Sequence, residues 1–469
     1  MNILLCTLPE VCVSKDYLPH LSLLYIAAHA EKSGHKVKII DSHIEGLTTD
    51  NLIKTIIQEQ PDILGVTATS HNRFEVIKVL KEAKKFLPKT ITVAGGVHFT
   101  VTAEDALNCI PELDVIVLWE GEYVFCNLAN TIQGGGSFDS VNGIVFRKDS
   151  GEIVFTKPPT FIHNLDDLAM PAWHLIDMNK YQARLEGTYD TRAIGVMSSR
   201  GCPSSCVFCS NSVWGRKSCR RKSPRNFIDE VEFLHKKYAF KGFDLWDDTL
   251  TLSKSHILGI CDEILRRDLK IEWYARARVN TVNKEILLSM KRAGCVAIGY
   301  GIESGSPKVL EAIKKKTTLT QIKQAVKDTA DIGIISKNFF MFSLPEEREE
   351  DILMTINLMK ELASYSPTVA IPYALTLIYP GTELEKLAKA RGILSQNFSW
   401  NTYAEFSKSR LYGENKTIPF YEEQLSLEKV KSIIRHHLVS KGDFFQKAKR
   451  RLSRIRNFHD ILSSFKAFR

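Results

Sequence analysis

The chain has 469 residues, of which 44% are hydrophobic, 25% charged and 9% aromatic, with a net charge of +9. That balance excludes a disordered or fibrous polypeptide and leaves length for several globular domains. Ten irregularly spaced cysteines and an N-terminus too short in apolar residues for a leader predict a reducing, cytoplasmic setting without a disulfide framework; no apolar run reaches the roughly 18 residues of a spanning helix.

In chain order, Met1–Leu8 reads as a strand and Leu21–Gly34 as a helix stopped by its glycine. Strands His35–Asp41, Asp62–Ala68, Thr90–Gly96 and Asp114–Leu118 then alternate with helices Thr49–Gln60, Arg73–Phe86, Ala103–Cys109 and Glu122–Gly134. Alternation of this kind predicts an α/β fold with a doubly wound, flavodoxin-like parallel sheet. Such sheets bind ligands beyond the carboxyl ends of their strands. The candidate loops are therefore Thr7–Cys12, Thr69–Arg73, Gly95–His98 and Trp119–Glu122. Gly95 and Gly96, followed by Val97 and His98, allow the backbone close to a flat ligand.

Residues 135–192 change character, with a hairpin pattern over Gly143–Phe155 that turns at Asp149-Ser150-Gly151. An acidic connector, Asn164–Asp177, follows, and its Trp173 and Leu175 predict packing against a neighbour. Ala193–Arg200 reads as a buried strand and leads into Cys202, Cys206 and Cys209, a C-x3-C-x2-C run. Three thiolates on one short loop can hold three corners of a cubane iron–sulfur cluster and leave the fourth iron open. The alternatives are buried thiols or a structural zinc site. Zinc takes four ligands in two pairs, and no second pair occurs; Cys219 lies ten residues further on.

Helix Asn226–Lys237 precedes an apolar strand, Phe243–Leu250, which carries adjacent carboxylates Asp247 and Asp248 at its end. A helix N-cap is an equal reading for either carboxylate. Strand Lys270–Arg278 places Arg276 and Arg278 on one face. Val296–Ser306 ends at Glu303 and Ser304, and Lys337–Glu347 and Ala370–Leu384 read as further strands, the last with a Pro380-Gly381-Thr382 turn. Strands near 195, 245, 273, 299, 339 and 374 predict a partial (β/α)6 barrel.

The order strand, cysteine loop, helix, with Phe208 before the third cysteine, resembles the opening unit of the radical S-adenosylmethionine (SAM) barrel. Together with the N-terminal alternation and Glu120-Gly121-Glu122, the chain resembles the cobalamin-binding subclass over about residues 1–400. The resemblance implies a [4Fe–4S] cluster on Cys202, Cys206 and Cys209, and SAM contacts at Phe208, Asp247, Asp248, Arg276, Glu303 and Ser304. It implies cobalamin contacts at Thr69, Ser70, Gly95, Gly96, Val97, His98, Glu120 and Gly121. Asp41-Ser42-His43-Ile44-Glu45-Gly46 matches the D-x-H-x-x-G pattern of a lower axial histidine, but it follows the second strand instead of the first and reads as accidental. Lys337–Glu347 lacks the glycines of the family's Gly-Leu-Pro-Gly-Glu-Thr stretch.

The implied organisation is a B12-binding domain over 1–140, a linker over 141–187, a radical SAM core over 188–405 and a helical C-terminal region over 406–469. The implied activity is cleavage of SAM to a 5′-deoxyadenosyl radical and functionalisation of a C–H bond, with methyl transfer favoured and the substrate unidentified; a lipid-like substrate is the expectation only if the C-terminal tail meets a membrane. Flavodoxin or ferredoxin is the implied electron donor. The alternatives are a cyclase or rearrangement enzyme with an empty B12 domain, and a non-catalytic iron–sulfur or zinc protein.

Residues 441–469 hold nine Lys and Arg against two Asp. Phe444, Phe445, Leu452, Ile455, Phe458, Leu462 and Phe465 recur at helical spacing. A basic amphipathic helix of this kind packs on the barrel or lies on an anionic membrane surface. No aromatic stacking platform accompanies the basic residues, so no nucleic-acid partner is expected.

Overall fold

The structure, a computed structural model, describes residues 1–9, 17–211, 218–402, 411–412 and 418–438. Cys12 of the first candidate loop and the basic tail 441–469 lie outside the described residues. Among the described residues no helix is long and apolar enough to cross a membrane.

The first sheet contains β1 (Asn2–Cys6), β2 (Lys36–Ile40), β3 (Ile63–Thr67), β4 (Ile91–Gly95), β5 (Val115–Val117), β6 (Ile144–Arg147) and β7 (Ile153–Phe155). Their order is β2-β1-β3-β4-β5-β6-β7. The first five are parallel, so both faces need cover. Side chains alternate accordingly. Ile3 and Leu5 join the layer of helices Leu21–Lys32 and Gly121–Gln133, while Leu4 and Cys6 join that of Thr49–Glu59 and Arg73–Phe86. The hairpin expected in the linker belongs to this sheet. Val115, Ile116 and Val117 would otherwise form an open edge, and they pair antiparallel with Phe146, Val145 and Ile144.

The second sheet opens with β8 (Ala193–Val196), after which β9 (Ser199–Arg200) and β10 (Arg220–Arg221) form a small antiparallel ladder around the cysteine loop. Parallel strands β11 (Gly242–Leu245), β12 (Glu272–Ala277), β13 (Cys295–Glu303) and β14 (Ile335–Phe342) continue from β8. β15 (Val369–Ala370) and β16 (Tyr373–Leu375) both pair with β14 and share the sixth position. The sequence predicted one strand over Ala370–Leu384; Pro372 cannot donate to the ladder and divides it.

The connector packs as its aromatic residue predicts, with Trp173 buried against the core. A later turn, Leu185–Thr191, packs near the amino ends of the barrel strands. Leu185 N–H donates to the Thr191 carbonyl (2.8 Å), Leu185 packs with Ala193, Tyr274 and Ala297, and Glu186 pairs with Lys337 (2.6 Å).

The two domains also meet through the C-terminal segment. Phe74 of the first domain packs with Ile378, Leu384, Phe398, Trp400 and Tyr421. Trp400 N–H donates to Asp105 (2.9 Å), and Arg73, fully buried, donates to the Trp400 carbonyl (2.5 Å). The Pro380-Gly381-Thr382 turn fits this junction tightly: Gly381 has φ 73°, and a Cβ there would lie 2.7 Å from the Val101 side chain. Gly381→Ala should therefore cost about 2–4 kcal/mol from backbone strain and overpacking. Thermal unfolding measures this, and an unchanged midpoint rules out the contact as a determinant of stability.

Candidate active site

A cavity of about 510 Å³ lies where the carboxyl ends of the first sheet face the barrel mouth. Of the residues expected to meet cobalamin, Thr69, Gly95, Gly96, Val97, Glu120 and Gly121 line it. Gly96 has φ 91°, and a Cβ there would meet Thr67 Oγ1 at 2.8 Å, so only glycine lets the backbone form this wall. Leu5, Ile26, Val66, Val93, Val117 and Phe125 form an apolar slot that runs from the rim into the sheet–helix layer. From the barrel come Met197, Arg200, Cys209, Asn211, Trp246 and Asp248. A site with glycine-backed walls, an apolar slot and a polar rim suits a large flat cofactor with a tail.

Ser70 and His98 were expected in the same wall but lie behind it. His98 is fully buried between Ser70 Oγ (3.0 Å) and Asn401 Oδ1 (3.2 Å). Burial, with the Arg73 charge adding to it, lowers its pKa to about 3, so the ring is neutral and ties the glycine loop to the C-terminal segment. Asp41 accepts from Thr7 Oγ1 (3.1 Å) and Tyr181 OH (2.7 Å), and His43 stacks on Tyr17 with ring centroids 4.1 Å apart. Neither lines the cavity. His20 does line it and was missed, since no pattern marks it.

Cys202 and Cys206 are buried, while Cys209 is half-buried and faces the cavity. Thr249 Oγ1 stands 3.7 Å from Cys202 Sγ and Arg278 Nη1 stands 3.6 Å from Cys206 Sγ. Three cysteine sulfurs on one short loop, one of them beside a guanidinium, are the ligand type that iron–sulfur clusters take. Among the described residues no three His, Cys, Asp or Glu side chains converge on one metal ion; cubane ligands need not converge, because each takes a separate iron. The residues present thus fit both groups. Phe208, half-buried, packs on the core next to the loop. Asn211 Nδ2 donates to the Cys202 carbonyl (2.8 Å) and fixes the loop's far end.

The adjacent carboxylates part company. Asp247 is fully buried and accepts from Ser198 N–H (3.2 Å), Ser198 Oγ (2.7 Å) and Ser199 Oγ, so it anchors the segment entering the cysteine loop. Asp248 accepts from Gly201 N–H (3.1 Å) and turns into the cavity, where it remains accessible. Burial within the protein, opposed by that hydrogen bond, raises its pKa. Arg276 pairs with Asp244 (2.7 Å) and lies over the Tyr274 ring. Glu303 pairs with Lys315 (2.7 Å), and Ser304 Oγ turns to Thr355 (3.1 Å). Of the six expected SAM contacts only Asp248 lines the cavity; Phe208, Asp247, Arg276, Glu303 and Ser304 do not.

Glu120 has a second partner set that the sequence did not signal. Its carboxylate meets Arg200 Nη1 (2.9 Å) and Arg220 Nη1 (2.6 Å), and Arg200 Nη2 also meets Glu122 (2.6 Å). Burial penalises the Glu120 charge, but Arg220 and Arg200 outweigh it and hold the carboxyl below the usual range. Glu120→Ala leaves buried guanidinium charge uncompensated and should cost about 3–5 kcal/mol, read by urea unfolding. A loss below ~1 kcal/mol is the value of a solvated surface pair and rejects this reading.

At the end of β14, Glu347 accepts from Ser343 N–H (2.6 Å) and Leu344 N–H (3.2 Å). Burial nevertheless pushes its pKa up to about 8 from 4.5. A carboxyl raised on folding contributes stability at low pH, lost as pH climbs through that interval toward about 8. Glu347→Gln should flatten this loss and be the more stable form above pH 8, by on the order of 1–3 kcal/mol. Parallel stability–pH curves for the two proteins contradict the assignment.

Residues 11–129 match the B12 binding domain family, and residues 196–359 match the radical SAM superfamily. The chain is 36% identical over 388 residues to an uncharacterized methyltransferase of Pyrococcus horikoshii, covering 82% of this chain and 81% of that protein. It is 28% identical to the anaerobic magnesium-protoporphyrin IX monomethyl ester cyclase of Rubrivivax gelatinosus, covering 78% of this chain and 65% of the cyclase. In fold it is similar to TsrM of Kitasatospora setae, a radical SAM methyltransferase solved with cobalamin and a [4Fe–4S] cluster bound. The TM-score is 0.74 at 15% identity, over 94% of this chain and 89% of TsrM. With both modules in this order and a shared cavity between them, the chain belongs to the cobalamin-dependent radical SAM enzymes, whose cofactors are a [4Fe–4S] cluster, SAM and cobalamin.

Proposed function

We propose that this enzyme transfers a methyl group to an unactivated carbon of a small, largely apolar substrate. One observation carries the reading: a single cavity takes its walls from the B12-binding domain and from Cys209, Trp246 and Asp248 of the barrel. The 36% identical methyltransferase supports methyl transfer over the cyclisation carried by the more distant cyclase name. The bound cofactors supply one-electron cleavage of SAM and a methyl-carrying cobalt.

The chain's own residues then bind, orient and shield. Cys202, Cys206 and Cys209 would hold three irons of the cluster, with the Arg278 guanidinium beside Cys206 to offset negative charge on the sulfurs. Asp248, with acceptor capacity left after Gly201, takes the SAM ammonium; Asp247 keeps the loop in place by holding both serines. Gly95 and Gly96 would let the backbone approach the bound cobalamin closely, and the slot walled by Leu5, Val93 and Phe125 would keep water from it. A lipid-like substrate is the reading that goes with the amphipathic pattern of 441–469. The net charge of +9 suits an acidic electron carrier of the flavodoxin or ferredoxin kind in the cytoplasm. The basic amphipathic pattern of 441–469, outside the described residues, supports peripheral contact with an anionic membrane.

Anaerobic protein reconstituted with iron and sulfide should show cluster absorbance, a cobalamin band and dithionite-dependent release of 5′-deoxyadenosine. Replacing Cys202, Cys206 and Cys209 together with Ala should remove the cluster and the cleavage; cleavage retained in that variant would falsify the cluster assignment. Methyl-labelled SAM should deliver label into organic-extractable products. Label confined to water-soluble products refutes the apolar substrate, and a product cyclised without label refutes methyl transfer.

A further inference from the structure

Between helix Pro307–Ala312 and helix Leu319–Asp331 the chain forms a tight knuckle of three consecutive lysines. Lys314 and Lys316 adopt the left-handed backbone, with φ 55° and 53°. That conformation costs a residue with a side chain about 1 kcal/mol or more, so the surroundings must impose it. Its effect is to turn the middle lysine inward and its neighbours outward. Lys315 is 5% exposed with its Nζ 2.7 Å from Glu303, whereas Lys314 and Lys316 are exposed.

The knuckle abuts the cysteine loop. Val207 N–H donates to the Ile313 carbonyl (3.2 Å), and the Arg278 guanidinium donates to the Lys315 carbonyl while standing 3.6 Å from Cys206 Sγ. A short bonded route therefore joins an exposed surface to one of the three sulfurs. The other two face elsewhere: Cys209 lines the interdomain cavity, and Cys202 is backed by Thr249 and Asn211. Lys314 meets Glu383 at 2.5 Å in an exposed pair of little strength. Lys316 has no carboxylate within ion-pair distance among the described residues.

We propose that the Lys314–Lys316 knuckle is the docking point for an acidic one-electron carrier protein that reduces the cluster; this rests on the reading of Cys202, Cys206 and Cys209 as its ligands. The carrier loses one electron and the cluster gains it, with no bond made and no proton moved. Electron transfer falls steeply with distance, which favours the face whose bonded path is shortest. Exposed lysines at such a contact steer an acidic partner and make its association salt-dependent.

The test uses the full-length reconstituted protein and an acidic flavodoxin. Calorimetry at low and high salt compares wild type with K314E/K316E, and with K54E/K81E as a control of equal charge change on exposed helix positions of the other domain. The knuckle variant should bind flavodoxin about tenfold more weakly at low salt and lose most of its salt dependence, while the control keeps both. Reduction by methyl viologen radical cation, which needs no docking, should proceed at the wild-type rate in all three proteins. Equal flavodoxin affinity in the knuckle variant and the control overturns the proposal. A wild-type protein that methyl viologen cannot reduce at all overturns the cluster assignment beneath it.

Discussion

Four buried charges, Arg200 and Arg220 from the barrel side and Glu120 and Glu122 from the first domain, form the contact on which the site depends. Their side chains are 2–7% exposed, so each charge has lost most of its hydration. Such a loss is tolerable only when opposite charges are close and hydrogen bonds are directed, and the set is neutral as a whole. Tyr25 and Phe161 present ring faces to the two guanidiniums, which favours cations held away from water. Lys222, between Tyr25 OH (2.9 Å) and Glu230 (2.6 Å), extends the same network into the barrel's first helix.

The geometric result is more important than the energy. Glu120 and Glu122 stand directly after β5, at the carboxyl edge of the first sheet, and Arg200 stands two residues before Cys202. Fixing these points sets the glycine wall of the cavity relative to the cysteine loop. On the opposite side, the Gly381 turn, Asp105, Arg73 and Trp400 hold the same two bodies together. Two separated clamps suppress rotation that one would permit. A reaction relayed between two cofactors needs that spacing held, because misplacement by about 1 Å can cost a hundredfold in rate.

Much of this was legible because the signals are local. Three cysteines within eight residues, and strands alternating with helices, carry their meaning in short windows. What depends on distant pairing was not. Glu120 read as a ligand contact because its arginine partners lie about eighty and a hundred residues away. Asp247 and Asp248 are identical in type and adjacent; only the position of Ser198 and Ser199 makes one an anchor and the other a cavity group. Ser304 follows a strand that matches the superfamily pattern, yet its hydroxyl meets Thr355 on a later helix, and Ser304 does not line the cavity. The hairpin at 144–155 could not reveal that β5 offered it an edge. Left-handed lysines escape notice because nothing in the residue type favours that backbone, unlike glycine or asparagine.

The turn at Leu185–Thr191 makes the amino end of the barrel lean on the linker. Glu186 is fastened to Lys337, and Leu185 is seated against Ala193, Tyr274 and Ala297 near the starts of their strands. A proteolytic nick there would bare those apolar side chains while leaving the residues around the cavity in place.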